Sequence, residues 1–221
     1  MKNKGGNMNK TEIYYQGQRP EVAAFLPSTY SKVLEIGCGN GDFRDIISNN
    51  ACEYWGVEPV AEIAKLADLK LDRVLVGTYD EIVDDLPDNY FDLIICNDVI
   101  EHMVDHEAFY QSIKQKVKPN AYMIGSLPNV RFLPNIHELL RKKDWEYKES
   151  GILDRTHLRF FTEKSIKRDF NNQNFEIEIL SGINGRTYTW SNKSDIFMNF
   201  LKLLLGKDTE FLQFGFRVLI R

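Results

Sequence analysis

The sequence runs to 221 residues with a net charge of −4, and its apolar share of 43% against 27% charged is that of an ordinary globular chain. A chain of this size buries roughly 70% or more of its unfolded surface, so it needs no disulfide or metal staple, and its acidic balance argues against a nucleic-acid surface, which shows as a basic domain. Cys38, Cys52 and Cys96 form an odd set without CxxC spacing, read as packed thiols in a reducing compartment; no signal peptide opens the chain and no apolar run reaches the ~20 residues of a membrane span, so a cytoplasmic location is expected.

Residues 1–10 read as a disordered tail, leaving 11–221 as one domain. Short β-rich runs then alternate with helical patterns, as in βαβ units on a parallel sheet. Strands are expected at Lys32–Ile36, Tyr54–Glu58, Arg73–Val76, Phe91–Asn97, Ala121–Ser126, Phe175–Leu180 and Gly215–Ile220. Helices are expected at Gly41–Ser48, Val60–Leu69, Asp105–Lys116, Thr162–Asn172 and Asp195–Leu205. Pro59 suits a first helical position, where its missing N–H costs nothing. The helix from Asp195 packs on a sheet edge, with a dimer contact or membrane-surface face as its other reading. Residues 127–161 form a long aromatic and polar insert between the fifth and sixth strands, and an insert of that length is functional or disordered.

The first strand ends in Gly37-Cys38-Gly39-Asn40-Gly41 and runs into a helix. Glycines there allow a sharp turn and a close ligand approach at the carboxyl end of a strand, where doubly wound sheets bind nucleotides. The dinucleotide pattern GxGxxG fails, because Asp42 stands where its third glycine belongs. Glu35 precedes the loop within the strand. Glu58 ends the next strand about 20 residues on, where a carboxylate accepts both hydroxyls of a ribose; its plainer reading is a cap on the following helix.

The segments Val33–Gly41, Gly56-Val57-Glu58 and Phe91–His102 resemble the class I S-adenosylmethionine-dependent methyltransferases, and the likeness covers about residues 14 to 221. It implies a Rossmann-like α/β fold: seven strands, mostly parallel with the last antiparallel, helices on both faces, and residues 127–161 as a substrate-binding cap. It also implies S-adenosylmethionine as cofactor and S-adenosylhomocysteine as product. The donor site would draw on Glu35, Gly37, Cys38, Gly39, Asn40, Gly41 and Phe43, on Glu58 and Pro59, on Gly77, Thr78 and Tyr79, and on Asn97 and Asp98. An acid after the third strand commonly meets the adenine amine; here Thr78 stands in that place, so the contact falls to backbone, Thr78 or Asp80. Tyr14, Tyr15 and Arg19 either fold over the cofactor or simply pack.

The fourth strand delivers Asp98, Glu101 and His102 beside the loop. Methyl transfer to a hydroxyl needs alignment and a base or metal. His102 is the candidate base and Asp98 its orienting partner; alternatively the motif only caps the following turn. His157, in the insert, joins them as a third catalytic candidate. Asp98, Glu101, His102 and His157 together would bind zinc, manganese or iron, an arrangement similar to metal-dependent small-RNA 3′-end methyltransferases and, in its fourth-strand part, ubiquinone-pathway O-methyltransferases. Otherwise His157 bonds substrate or is a buried structural contact. His106 and His137 read as surface or packing residues.

For the acceptor, Ser126–Val130, Trp145–Tyr147, Gly151–Asp154 and Thr156–Thr162 resemble a bacterial methyltransferase group associated with surface-polysaccharide and glycan biosynthesis. Trp145 and Tyr147 offer apolar faces for sugar C–H groups, and Asn129, Asp154, Arg155 and Arg159 offer directional polar contacts. The expected function is O-methylation of a sugar, nucleotide-sugar or glycan by a monomer or homodimer. The alternatives are a small aromatic or quinone acceptor, or a non-catalytic S-adenosylmethionine-binding partner subunit.

Overall fold

A computed structural model describes residues 18–48, 51–187 and 193–221. The tail at 1–10, Tyr14 and Tyr15 lie outside the described residues. In chain order the elements are α1 (Pro20–Ala23), β1 (Lys32–Ile36), a 3-10 turn (Asp42–Ile46), β2 (Glu53–Glu58), α2 (Ala61–Ala67), β3 (Arg73–Val76), α3 (Tyr79–Ile82), β4 (Phe91–Asn97), α4 (His106–Lys116) and β5 (Val117–Pro128). There follow α5 (Leu133–Lys142), α6 (Glu163–Asn172), β6 (Glu176–Gly185), α7 (Lys193–Leu205), a 3-10 turn (Lys207–Glu210) and β7 (Phe211–Ile220).

The strands form one sheet of seven in the order β3-β2-β1-β4-β5-β7-β6. β1 to β5 pair in parallel, and β7 runs antiparallel between β5 and β6. Alternate side chains of each strand point to opposite faces, and both faces are covered. Leu34, Ile36, Ile94, Cys96 and Met123 join α3, α4 and α6 in one core cluster. Val33, Leu93, Ile95 and Ile124 join α1, α2 and the first 3-10 turn in another. Burial on both faces is why the central strands read as continuous apolar runs rather than alternating ones.

The expected sheet is therefore the observed one. The differences are local. The segment after the glycine loop is a 3-10 turn over Asp42–Ile46 rather than the full helix expected over 41–48, and Lys70 pairs with its Asp42 and Asp45 at 2.6 and 3.0 Å. The expected insert contains the end of β5 and the ten-residue α5, which Pro134 opens at a first-turn position. Asp105 and Thr162 accept from Ala108 N–H and Ser165 N–H, and so act as N-caps of α4 and α6 rather than their first residues.

β4 and β5 approach so closely at Gly125 that a Cβ there would lie 1.9 Å from the Cys96 carbonyl oxygen. Backbone cannot rotate away as a side-chain tip can. Gly125→Ala should therefore destabilise the chain by about 3 kcal/mol or more, read by urea denaturation; an unchanged midpoint would contradict the close approach.

Candidate active site

The carboxyl ends of β1, β2, β4 and β5 open into one cleft of about 1240 Å³. That exceeds the usual few hundred to ~1,000 Å³ of a single-ligand pocket and gives room for a donor and an acceptor side by side. One half is lined by Glu35, Gly37–Asn40, Glu58 and residues 77–80, the other by Asp98, Val99, residues 101–104, Ile152, Asp154–His157, Leu212 and Gln213.

The first half is built by the glycine loop. Gly37, Gly39 and Gly41 all have φ between +54° and +78°, a region that costs other residues strain. At Gly37 the space is closed as well, since a Cβ would meet Val99 at 2.6 Å. Gly41 faces α2 rather than the cleft, with its Cβ direction 3.4 Å from Ala67. Cys38 is buried, and burial pushes its thiol well above the usual range, so it packs as an apolar group. Phe43 and Tyr79 are buried wall residues; the Tyr79 hydroxyl meets Ser112 at 3.1 Å.

Glu58 is 2% exposed, and its two oxygens accept from Gly39 N–H at 3.1 Å and Val60 N–H at 2.9 Å. It thus ties the loop to the start of α2, as its capping reading expects, and it borders the cleft. Burial raises its carboxyl, and the two N–H donors oppose that rise. Pro59 is an exposed cleft residue just before α2. Thr78 is exposed and caps α3 in a capping box with Glu81, leaving it and Asp80 at the rim with Gly77.

Glu35 is fully buried and accepts from the Tyr54 hydroxyl at 2.8 Å. Asn97 Nδ2 approaches its other oxygen at 3.5 Å. Burial pushes the Glu35 carboxyl up to about 8, against the pull of those two donors. The side-chain oxygens of Asn40 and Asn97 are buried without a hydrogen-bond partner among the described residues. These acceptors would suit a cationic group, such as the ammonium of an amino-acid moiety.

The second half turns on residues distant in sequence. Leu158 N–H and Arg159 N–H both donate to the Glu101 carbonyl, at 2.8 and 3.1 Å, which straps residues 156–159 onto the turn after β4. His157 Nδ1 lies 2.9 Å from the Ile152 carbonyl. A carbonyl only accepts, so Nδ1 carries the proton and Nε2 presents a lone pair, 3.9 Å from a Glu101 carboxylate oxygen. His102 Nδ1 lies 3.2 Å from the Thr156 carbonyl and 3.0 Å from its hydroxyl, so the same reasoning frees His102 Nε2. Thr156 is in turn held by Asp154, which accepts from its N–H and hydroxyl. Burial and the neighbouring His157 hold His102 below its usual range, and hence neutral.

Beside these rings sits Glu101, fully buried, with neither carboxylate oxygen hydrogen-bonded among the described residues. Desolvation first, and the Asp98 charge second, push its carboxyl well up. One ligand atom from each of Glu101, His102 and His157 falls within 4.8 Å of the others. Two imidazoles with Nδ1–H bonded to oxygen and Nε2 free, beside an unpaired carboxylate, are what a divalent cation binds.

Asp98 is not part of this group, a correction to the expected four-ligand set. Its oxygens accept from Arg19 at 2.7 Å, from Ser126 at 2.8 Å and from Gln213. Arg19, itself at φ +50°, also donates to Ser126 and Glu21, so it anchors α1 across the cleft. Ser126 and Gln213 were not anticipated; the lone amide in Phe211-Leu212-Gln213-Phe214 was the available signal.

The acceptor residues also need correction. Asn129 is fully buried, and its amide donates to the Asp208 and Phe211 carbonyls. Trp145 and Tyr147 pack around Phe160, at 5.2 and 6.5 Å between rings, outside the cleft lining. Arg159 is spent on the Leu158 and Val104 carbonyls. Of the six, Asp154 and Arg155 border the cleft.

A family model described as a methyltransferase domain matches residues 13–179. The human mitochondrial ubiquinone biosynthesis O-methyltransferase is 32% identical over 97 residues, 40% of this chain and 26% of that protein. The ubiquinone biosynthesis O-methyltransferase of Rickettsia typhi is 25% identical over 187 residues, 80% of this chain and 73% of that protein. The match thus spans about a quarter of the human relative's length. Crystal structures of an S-adenosylmethionine-dependent methyltransferase from Archaeoglobus fulgidus (TM-score 0.62, 20% identity, 94% of this chain and 93% of that one) and of a possible histamine N-methyltransferase from Thermotoga maritima (TM-score 0.64, 19% identity, 94% and 89%) share the fold.

Two outcomes follow from the donor half. Glu58→Ala should weaken S-adenosylmethionine binding by about tenfold to hundredfold in calorimetry; unchanged affinity would free Glu58 from that role. Glu35 holds its proton in the fold up to a pH of about 8 but loses it near pH ~4.3 when unfolded. Its contribution to stability is therefore full at low pH and falls as the pH rises from 5 to 8. Glu35→Gln should flatten that fall, on the order of a few kcal/mol, in denaturation series across the range; parallel curves would contradict it.

Proposed function

We propose that this chain, which belongs to the methyltransferase domain family, transfers the methyl group of S-adenosylmethionine to a hydroxyl of a small, quinol-type aromatic acceptor, with a divalent cation held by Glu101, His102 and His157. The observation that carries the reading is the unpartnered, fully buried Glu101 carboxylate facing two lone-pair imidazole nitrogens beside the glycine loop. Matches to proteins named ubiquinone biosynthesis O-methyltransferase support the acceptor class, in place of the sugar or glycan expected from sequence.

A donor held by the glycine loop in the first half would present its sulfonium methyl to the second half of the same cleft, so that alignment would supply much of the rate. The chemistry a cation supplies there is Lewis acidity, which eases loss of the acceptor's proton. The acceptor oxygen attacks the methyl carbon, the C–S bond breaks, and the proton leaves to solvent through the open mouth. Thr156 and Asp154 keep the His102 ring in one tautomer, and the Ile152 carbonyl does the same for His157. Arg19, Ser126 and Gln213 fix Asp98, which holds the loop between β4 and the Glu101 turn.

A second reading, a sugar or nucleotide-sugar acceptor, is favoured by the polar rim of Asp154, Arg155 and Thr156. Methyl-transfer assays should give product with catechol or quinol acceptors and none with nucleotide sugars; the opposite pattern reverses the order of the two readings.

Glu101→Gln and His157→Ala should each lower zinc or manganese affinity by about a hundredfold while leaving S-adenosylmethionine binding within about twofold. Treatment with a chelator should abolish turnover and added metal restore it. Full activity after chelation would overturn the cation and leave His102 as a general base, in which case His102→Ala alone would stop turnover.

A further inference from the structure

The outer face of α7 is apolar. Ile196, Phe197, Phe200, Leu203 and Leu204 fall at i, i+1, i+4, i+7 and i+8, one helical stripe, and Phe200, Leu203 and Leu204 are 54%, 81% and 66% exposed. The helix is not short of a core contact, since Met198, Leu201 and Leu205 on its other side pack with Leu133 of α5. It therefore carries two apolar faces, of which the protein covers one. His137 of α5 meets the Phe197 ring at 6.1 Å, and Leu140, 65% exposed, follows one turn on. The exposed stripe thus continues onto α5.

The charge around it is opposite to that of the chain. Residues 131–144 and 193–210 hold seven cations against five acids, whereas the whole chain carries −4. Glu138, Asp208 and Glu210 are already engaged by Lys142, Arg131 and Lys202. Arg141, Lys143, Lys193 and Lys207 are exposed and have no ion pair among the described residues. Large apolar side chains flanked by lysine and arginine suit the boundary between headgroups and acyl chains of an anionic bilayer. A second copy seated on the same face would bring like cations together across the interface. No helix among the described residues is long and apolar enough to cross a membrane, so the contact is peripheral.

We propose that the α7–α5 face docks this chain on the surface of an anionic lipid bilayer, with Phe200, Leu203 and Leu204 entering the interface. The face adjoins the cleft: α5 follows the β5 end at Pro128, and the turn after α7 leads to Leu212 and Gln213, all cleft residues. Arg131 fixes that corner through the Leu205 carbonyl and Asp208, both at 2.6 Å. Docking there sets the cleft mouth beside the lipid surface, whatever the acceptor.

The test is sedimentation of the full chain with phosphatidylcholine vesicles and with vesicles in which one lipid in four is phosphatidylglycerol. Binding is expected only to the anionic vesicles, falling as salt rises. Leu203→Glu and, separately, Phe200→Ser should each reduce it about tenfold or more while leaving the melting temperature and S-adenosylmethionine affinity unchanged. The proposal is overturned if anionic vesicles do not bind the chain, if both variants bind as well as the parent, or if light scattering finds a dimer that Leu203→Glu splits to monomers without any vesicle binding.

Discussion

Burying a carboxylate without a partner costs several kcal/mol unless it takes a proton or meets a cation. Glu101 sits in that position at the turn after β4, and the second half of the cleft is arranged about it. Its main-chain carbonyl receives two N–H groups from the distant strap at Leu158 and Arg159. Its side chain faces His157, whose tautomer is set by the Ile152 carbonyl just before that strap. Burial therefore leaves Glu101 to hold either a proton or a cation, within a surrounding structure that over-determines its geometry.

The two halves of the cleft differ in how they hold their shape. The donor half is backbone: three glycines in the left-handed region, closed by Val99 and braced by Glu58. The acceptor half is side chains supporting side chains, in the chain Asp154–Thr156–His102 and the cluster Arg19–Asp98–Ser126–Gln213. A backbone cradle suits a ligand that never varies. A side-chain lattice is retuned by single substitutions, and under the proposed function acceptor choice falls to that half.

This division also explains what was legible in the sequence. β1, β2 and β4 stand out because strands buried on both faces leave apolar runs, and the glycine loop because only glycine tolerates its backbone. Glu101, His102 and His157 were legible as chemical types, but the strap joining them is a main-chain contact with no side-chain signature. Asp98 read as a ligand because spacing cannot reveal that Arg19, Ser126 and Gln213 consume both its oxygens. Trp145, Tyr147 and Asn129 read as acceptor contacts because an aromatic or amide in an insert looks the same whether it faces a ligand or its own fold. The fully buried amide of Asn129 bonds the Asp208 and Phe211 carbonyls, some eighty residues away.

The sheet order has a consequence for how the molecule assembles. β7 lies between β5 and β6, so residues 211–220 insert between two strands that precede them in the chain. Before that insertion β5 and β6 each present an open edge, and Asp98 lacks its Gln213 partner. The right-hand part of the sheet therefore depends on long-range pairing, the slow and aggregation-exposed step of folding, whereas β1 to β4 can pair as they emerge. Ribosome-bound intermediates would carry a finished glycine loop while the other side of the cleft still lacked Leu212 and Gln213, so the two halves of the cleft would be completed at different times during synthesis.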